Sequence, residues 1–426
     1  MSNKMDSVNN LLPKLRFPEF QNSPAWKKTP LEDAVSPVVR QVEKPENPYT
    51  GLGIRSHGKG TFLKPLESPE KNAMEYLYEV QSDDLIVNIT FAWEGAIAIV
   101  KQGDSGALVS HRFPTYTFNR DVAIPEFFQY VILDKRFIYN LGVISPGGAG
   151  RNRVLNKNDF LKLTVSVPST VEQQKIADCL TALDDLIAAQ SQKVEALQAY
   201  KKGLLQNLFP ADGESVPRLR FPEFQSAGEW EEKTIGQISE NITAGGTPNT
   251  SKKEYWNGNI RWMNSGELNY KRVYEVQGRI TEKGLQNSST KIIPSHCVLI
   301  GLAGQGKTRG TVAMNMIEVC TNQSIAAIFP NEQVYYSDFL YHNLDNRYDE
   351  LRRISAGGEG RGGLNLQIIK SLKIILPSLP EQQRIAELLS AIDEQISAQG
   401  EVLAALKVHK KGLMQGLFPS MNEVQE

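Results

Sequence analysis

Residues Glu172–Pro210 read EQQKIADCLTALDDLIAAQSQKVEALQAYKKGLLQNLFP, and residues Glu381–Pro419 read EQQRIAELLSAIDEQISAQGEVLAALKVHKKGLMQGLFP. Extended back to Val167 and Leu376 and compared at an offset of 209, the two stretches share 23 identities in 44 positions. Apolar residues recur in steps of four and three: Ile176, Leu180, Leu183, Ile187, Val194, Leu197, Leu204 and Leu208 in the first copy. Ile385, Leu389, Ile392, Ile396, Leu403, Leu406, Leu413 and Leu417 keep the same register in the second. That spacing is the heptad seam of a coiled coil, so each copy is expected to be one long helix. Ser169 with Glu172, and Ser378 with Glu381, have the spacing of a capping box. Pro210 and Pro419 stop the helices. A heptad stripe needs a partner, and each helix is the other's nearest candidate. Two seam positions are polar in both copies, Gln190/Gln399 and Lys201/Lys410. They either fix the register of the pair or mark where another protein docks.

The repeat extends beyond the helices. Lys14–Gln21 (KLRFPEFQ) returns as Arg218–Gln225 (RLRFPEFQ), and Trp26 and Trp230 keep the same offset of 204. The pattern I-S-x-G-G-x-G-R occurs at Ile144–Arg151 and at Ile354–Arg361. The chain is therefore a tandem duplication whose frame repeats. The contents do not: Tyr49–Thr61 (YTGLGIRSHGKGT) has no counterpart in Gly245–Asn269. The expected division is a first block at 1–168, a helix at 169–210, a linker at 211–217, a second block at 218–377, a helix at 378–419 and a tail at 420–426. Short buried strands are expected at Leu85–Ile89, Ala96–Val100, Val298–Leu302, Thr311–Met314 and Ser324–Phe329. Helices are expected at Pro125–Asn140 and Tyr336–Arg353. The fold class is α/β: two duplicated blocks, each with a curved or barrel-like sheet, separated by a long antiparallel two-helix coiled coil with pseudo-twofold symmetry. A helix of this length spans ~57 Å at 1.5 Å per residue. The symmetry also brings the two chain termini together.

Composition narrows the class. The 426 residues carry a net charge of −1, with 40% hydrophobic residues. The opening MSNKMDSVNN lacks the apolar core of a signal peptide, and no apolar run approaches the ~18 residues that span a bilayer. Cys179, Cys297 and Cys320 are scattered, which fits a reducing cytoplasm and argues against a zinc or disulfide framework. The five histidines form no metal-binding cluster. Charge is uneven: residues 1–168 hold 20 Lys and Arg against 18 Asp and Glu, and residues 216–377 hold 19 against 16. Each helical segment, 169–215 and 378–426, holds 4 against 7. Basic blocks suit phosphate and an acidic rod suits protein, although a solvated surface gives the same figures.

The repeated unit, with I-S-x-G-G-x-G-R, then P-S-x-x-E-Q-Q-K/R-I-A and a closing K-K-G-L-x-Q-x-L-F-P, resembles the specificity subunits of type I restriction-modification systems. The resemblance covers nearly the whole chain. It implies a non-catalytic protein with two target recognition domains, each reading one half of a split site in double-stranded DNA. It also implies two methyltransferase subunits and restriction subunits as partners, with S-adenosylmethionine, ATP and Mg held by those partners and no cofactor in this chain. The rod caps the separation of half-sites at ~17 base pairs of 3.4 Å each.

Candidate DNA-contacting residues follow from side-chain chemistry. In block one they are Arg55, His57, Lys59, Asn88, Thr90, Trp93, Arg112 and Arg120, with Arg151 and Arg153 near the glycine-rich repeat. In block two they are Thr247, Asn249, Arg261 and Asn264, then Gln305, Lys307 and Arg309 in a glycine-rich turn, and Arg361. Arginine and lysine suit phosphates and guanine edges; Gln305 suits adenine. Arg151 and Arg361 stand at the same place in both repeats, which suits positioning on phosphate, because divergent residues are the ones that specify. Tyr255, Trp256 and Trp262 read first as core, since large apolar rings are mostly buried. Gly301–Thr308 matches the P-loop pattern letter for letter, but the sequel Arg309–Met314 reads as a strand where a phosphate-binding helix is required. A coiled-coil adaptor that ignores DNA is the rival class.

Overall fold

The computed structural model describes residues 11–65, 67–148, 153–211, 213–304, 308–356 and 363–419. The chain forms two compact units, one of residues 1–190 and 402–426, the other of residues 191–401. Both divisions fall within the long helices, Thr170–Leu208 and Leu379–Leu417. Each unit thus contains the first half of one long helix and the last half of the other.

Within each unit these halves run antiparallel. In the first unit Ile176 and Leu180 share a core with Leu413 and Leu417. Further along one helix and further back on the other, Asp184 pairs with Lys410. In the second unit Ile385 and Leu389 share a core with Leu204 and Leu208, and Asp393 pairs with Lys201 at 2.6 Å. Two of the polar seam positions are therefore lysines answered by an aspartate on the facing helix. Leu183, Ile187, Leu197, Ile396 and Leu406 are half-buried, as a two-helix seam covered on one side should be, and Ile392 is buried. Fully burying one such side chain contributes ~1.5–3 kcal/mol, so the seam is anchored chiefly where it meets the block cores.

Both units contain the same four-stranded antiparallel sheet. In the first, the order is Val35–Val38, Thr115–Phe118, Leu85–Val87, Ile97–Ile99. In the second it is Ile242–Ala244, Ile325–Ile328, Val298–Gly301, Val312–Asn315, with Arg272–Val273 added parallel at the edge. The central strands of the second sheet are buried along their whole length, which explains their unbroken apolar runs. The remaining strands form separate small sheets. Those of the first unit pair Gln41–Glu43 with Tyr76–Glu79 and Leu108–Val109, and Leu52–Ile54 with Thr61–Leu63. The second unit has instead an eight-residue strand, Trp256–Met263, flanked by Arg279–Ile280 and, in parallel, by Val319–Thr321. The duplicated frame is thus a shared sheet, and the divergent contents are inserts with their own smaller cores.

The two expected block helices are each broken in two. Pro125–Val131 and Lys135–Val143 are separated because the Asp134 carboxylate accepts from the Arg136 and Phe137 amides and starts a new helix. Ser337–Asn346 and Tyr348–Ala356 part at Arg347, whose guanidinium is held by Glu350 and the Lys373 carbonyl.

The repeated E-Q-Q motif is the clamp between block and helix. Ser169 does accept from the Glu172 amide at 3.4 Å, but the Glu172 carboxylate does not complete a capping box. It takes both arms of the Arg16 guanidinium, at 2.8 and 2.7 Å, and both side chains are buried. Glu381 does the same with Arg220, at 2.7 and 2.8 Å. The following glutamines close chain ends of the block: Gln173 accepts from the Ile124 amide and donates to the Val122 carbonyl, and Gln382 accepts from the Tyr336 amide. The KLRFPEF arginine and the E-Q-Q glutamate are therefore two halves of one buried ion pair.

Candidate nucleic-acid interface

Each core sheet has two ends with different tasks. In the first unit Val122, just beyond strand Thr115–Phe118, is bonded to the long helix through Gln173. At the other end of that strand the Arg112 carbonyl accepts from the Ile89 amide at 3.0 Å, and the Ile89 carbonyl accepts from Leu155 at 2.9 Å. The second unit repeats these bonds: Leu302 donates to the Ser324 carbonyl at 2.8 Å and accepts from Leu364 at 3.0 Å. Ile89 and Leu302 are therefore equivalent. The turn Asn88–Gly95 occupies the same place in its sheet as the turn that closes at Gly310. Sequence comparison singled out both turns without showing that they correspond, because nothing in their residues aligns.

In the first unit the structure gathers most of the candidates around this turn. The hairpin loop at 55–60 docks on it: His57 donates to the Glu94 carbonyl, Gly58 to the Gly95 carbonyl, and the Ser56 hydroxyl to the Glu94 carboxylate at 2.9 Å. His57 adopts a φ of 63°, a conformation uncommon for a residue with a Cβ. Arg55, His57, Lys59 and Arg112 are exposed on this face. Arg55 lies over the Phe62 ring at 4.7 Å and donates to the Thr61 carbonyl. Other candidates hold the turn itself. The Asn88 side-chain oxygen Oδ1 accepts from the Thr90 amide, and the Trp93 indole donates to the Thr90 backbone carbonyl. Arg153 sits over Trp93 at 5.2 Å while donating to the carbonyls of Ser145 and Gly142, so it ties down the end of helix Lys135–Val143. Arg120 stands apart. It lies beyond the opposite end of strand Thr115–Phe118 and is paired with Asp83 and Glu126.

In the second unit Thr247 and Asn249 lie on a loop pressed against the turn at 321–323. A Cβ on Gly245 would fall 1.9 Å from the Thr321 carbonyl oxygen, so only glycine permits the approach. Thr247 donates to the Gln323 side chain at 2.6 Å. Trp262 and Trp256 brace the loop, donating to the carbonyls of Gly246 and Asn249, with their rings edge to face at 5.1 Å. Tyr255 is core. Asn264 caps the 3-10 turn Ser265–Tyr270, accepting from Gly266. Arg261 and Arg279 both reach Glu275. That carboxyl is held below the usual carboxylate range, first by the Val276 amide and then by Arg261 and Arg279. An exposed pair of this kind is worth little, so Arg261 is released for another anion at small cost. Arg309 is half-buried, and its Nε has no hydrogen-bond partner among the described residues.

Gln305, Lys307, Arg151 and Arg361 lie outside the described residues. Around the P-loop-like string, the Gly301 amide donates to Thr311 and the Gly310 amide to Gly301, closing a hairpin into strand Val312–Asn315. The chain continues as a strand where a P-loop would open a helix. Burial pushes the Cys297 thiol up to about 12 and the Cys320 thiol up to about 11, so both are protonated at neutral pH. Among the described residues no three His, Cys, Asp or Glu side chains form a group that could hold a metal, and no helix is long and apolar enough to cross a membrane.

Comparison with known proteins bears on the same segments. The family described as the type I restriction modification DNA specificity domain matches residues 41–199 and 227–408. The chain is 32% identical over 169 residues to the EcoR124I/EcoR124II specificity subunit of Escherichia coli, covering 39% of this chain and 41% of that protein. It is 34% identical over 182 residues to the MjaIX specificity subunit of Methanocaldococcus jannaschii, covering 41% of each. The match thus spans about two fifths of the length of these relatives. The crystal structure of the type I restriction-modification S subunit from M. genitalium superposes with a TM-score of 0.62 at 16% identity, over 96% of this chain and all of the other. With its family matched in both halves, the chain belongs to the type I restriction modification DNA specificity domain family.

Proposed function

We propose that this protein is the non-catalytic, DNA-reading subunit of a type I restriction-modification complex. Residues 1–168 and 218–377 are the two recognition domains, and each reads one half of a bipartite site in double-stranded DNA. The long helices carry two methyltransferase subunits, and restriction subunits join them; S-adenosylmethionine, ATP and Mg belong to those partners. The assembly works in the cytoplasm. The observation that carries this reading is the pairing of one sheet with two dissimilar sets of turns. The helix-facing end of each sheet is built from the same Arg, Glu and Gln, while the opposite end presents different side chains in the two units. A reader of two different sequences needs a constant mount and variable contacts. Exposed Arg55, Lys59 and Arg112 supply cations for phosphate on the first unit's variable face, and Arg261 and Arg309 do so on the second. Arg151 and Arg361 complete the set as phosphate contacts shared by both repeats.

Single-molecule sequencing of adenine methylation in the native host, with and without the gene, tests the reading. Loss of one bipartite motif on deletion is expected and gives both half-sites with their spacing. An unchanged methylome, with a purified chain that binds no methyltransferase, overturns it.

A further inference from the structure

We infer that Phe91 is an apolar wedge that enters the base stack of the half-site read by the first unit. This deepens the DNA-reading function proposed above and rests on it. The turn Asn88–Gly95 spends its polar side chains on itself: Asn88 caps the Thr90 amide, Trp93 bonds the Thr90 carbonyl and stacks under Arg153, and Glu94 holds Ser56. Ala92 and Gly95 are buried, and Asn88, Ile89, Thr90, Trp93 and Glu94 are half-buried. Phe91 alone in this turn is exposed, at 37%. The part of the Phe91 surface left to water forgoes hydrophobic free energy that a partner's surface would supply.

The surroundings fit a duplex. Backbone bonds set segments with exposed cations against the turn: the loop that carries Arg55 and Lys59 is bonded to it through His57 and Glu94, and Arg112 through Ile89. An apolar ring on a fixed turn, flanked by groups that grip phosphate, has the make-up of side chains that unstack a base step. The equivalent turn of the second unit, from Ala303 to Gly310, contains glycine, Gln305, Lys307 and Arg309 and no aromatic residue. Ring insertion is therefore confined to the half-site read by the first unit.

The test uses the assembled complex with its methyltransferase subunits and a duplex bearing its bipartite site. 2-Aminopurine is placed at each position of the first half-site except the methylated adenine, which the methyltransferase itself unstacks. Fluorescence is expected to rise at one step on binding. Phe91→Ala should abolish that rise and weaken binding about tenfold, the scale of one base-aromatic contact. Phe91→Leu should keep part of both, and discrimination at the second half-site should not change. An unchanged thermal midpoint of Phe91→Ala separates this effect from misfolding. Specific binding by the wild type with no fluorescence change, or a Phe91→Ala complex identical to wild type, overturns the wedge and leaves the DNA-reading function intact. A wild-type complex that shows no sequence preference overturns both.

Discussion

Two ion pairs are buried where the blocks meet the long helices. Arg220 and Glu381 form a two-armed pair with side chains 9% and 1% exposed, and Arg16 with Glu172 forms its duplicate. Removing one member of a buried pair leaves the other charged in an apolar site, at a cost of ~3–5 kcal/mol. Arg220→Ala should therefore lower the urea midpoint of the purified chain strongly. Arg220→Met combined with Glu381→Leu should recover much of that loss, since no lone charge remains. A single substitution costing under ~1 kcal/mol would show that the pair is solvated. Both residues were visible in the sequence as members of separate repeats. Their pairing was hidden because the arginine and glutamate are 161 positions apart, and a capping box explained the glutamate locally.

At the scale of elements, the junction between block helix and long helix is built twice from different side chains. In the first unit Tyr130 bonds Thr181 and Asp184, and Lys410 reaches the same aspartate. In the second, His342 takes the place of the tyrosine. Its Nε2 faces the Ser390 hydroxyl at 3.0 Å, and its Nδ1 lies 3.8 Å from the Asp393 carboxylate that holds Lys201. Burial, and then the charges of Lys201 and Arg272, hold the imidazole well below its ordinary 6.5. A histidine kept neutral in the fold takes up its proton first in the unfolded chain. Its stabilising contribution is therefore complete above about 6.5 and is lost as pH falls below that value toward the folded pKa. Melting of the wild type should fall between pH 6.5 and 5, and His342→Gln should flatten that part of the profile. An identical slope in the variant would assign the loss to other groups. The seam lysines were read from the heptad with two roles open; in the fold each pairs with an aspartate of the facing helix.

For the whole molecule, the duplication makes the chain's opening point a matter of connectivity. In the first unit the Leu15 amide bonds the Gly416 carbonyl, and Phe418 stacks on Phe127 beside Trp26. In the second unit the corresponding bond joins Leu219 to Asn207 within continuous chain. The first unit therefore brings together, across the termini, the segments that the second joins through a short linker. A circular permutant opened in the Asp212–Val216 linker, with the old termini joined, should fold with native helix content and a melting temperature within a few degrees of the parent. A helix-poor or insoluble product would show that the linker is needed for folding.

The sequence by itself determined the duplication, the two long helices with their seam and the buried strands of the core sheets, because these rest on periodicity and local burial. It also marked the turns at 88–95 and 301–310 as places of interest. Only the tertiary structure decided that these turns are equivalent, that Arg153 braces Trp93 and Arg120 stands at the far end of the sheet, and that Phe91 is what the first turn presents. Those facts depend on which side chains spend their hydrogen bonds inside the fold, and contacts between residues distant in sequence settle that.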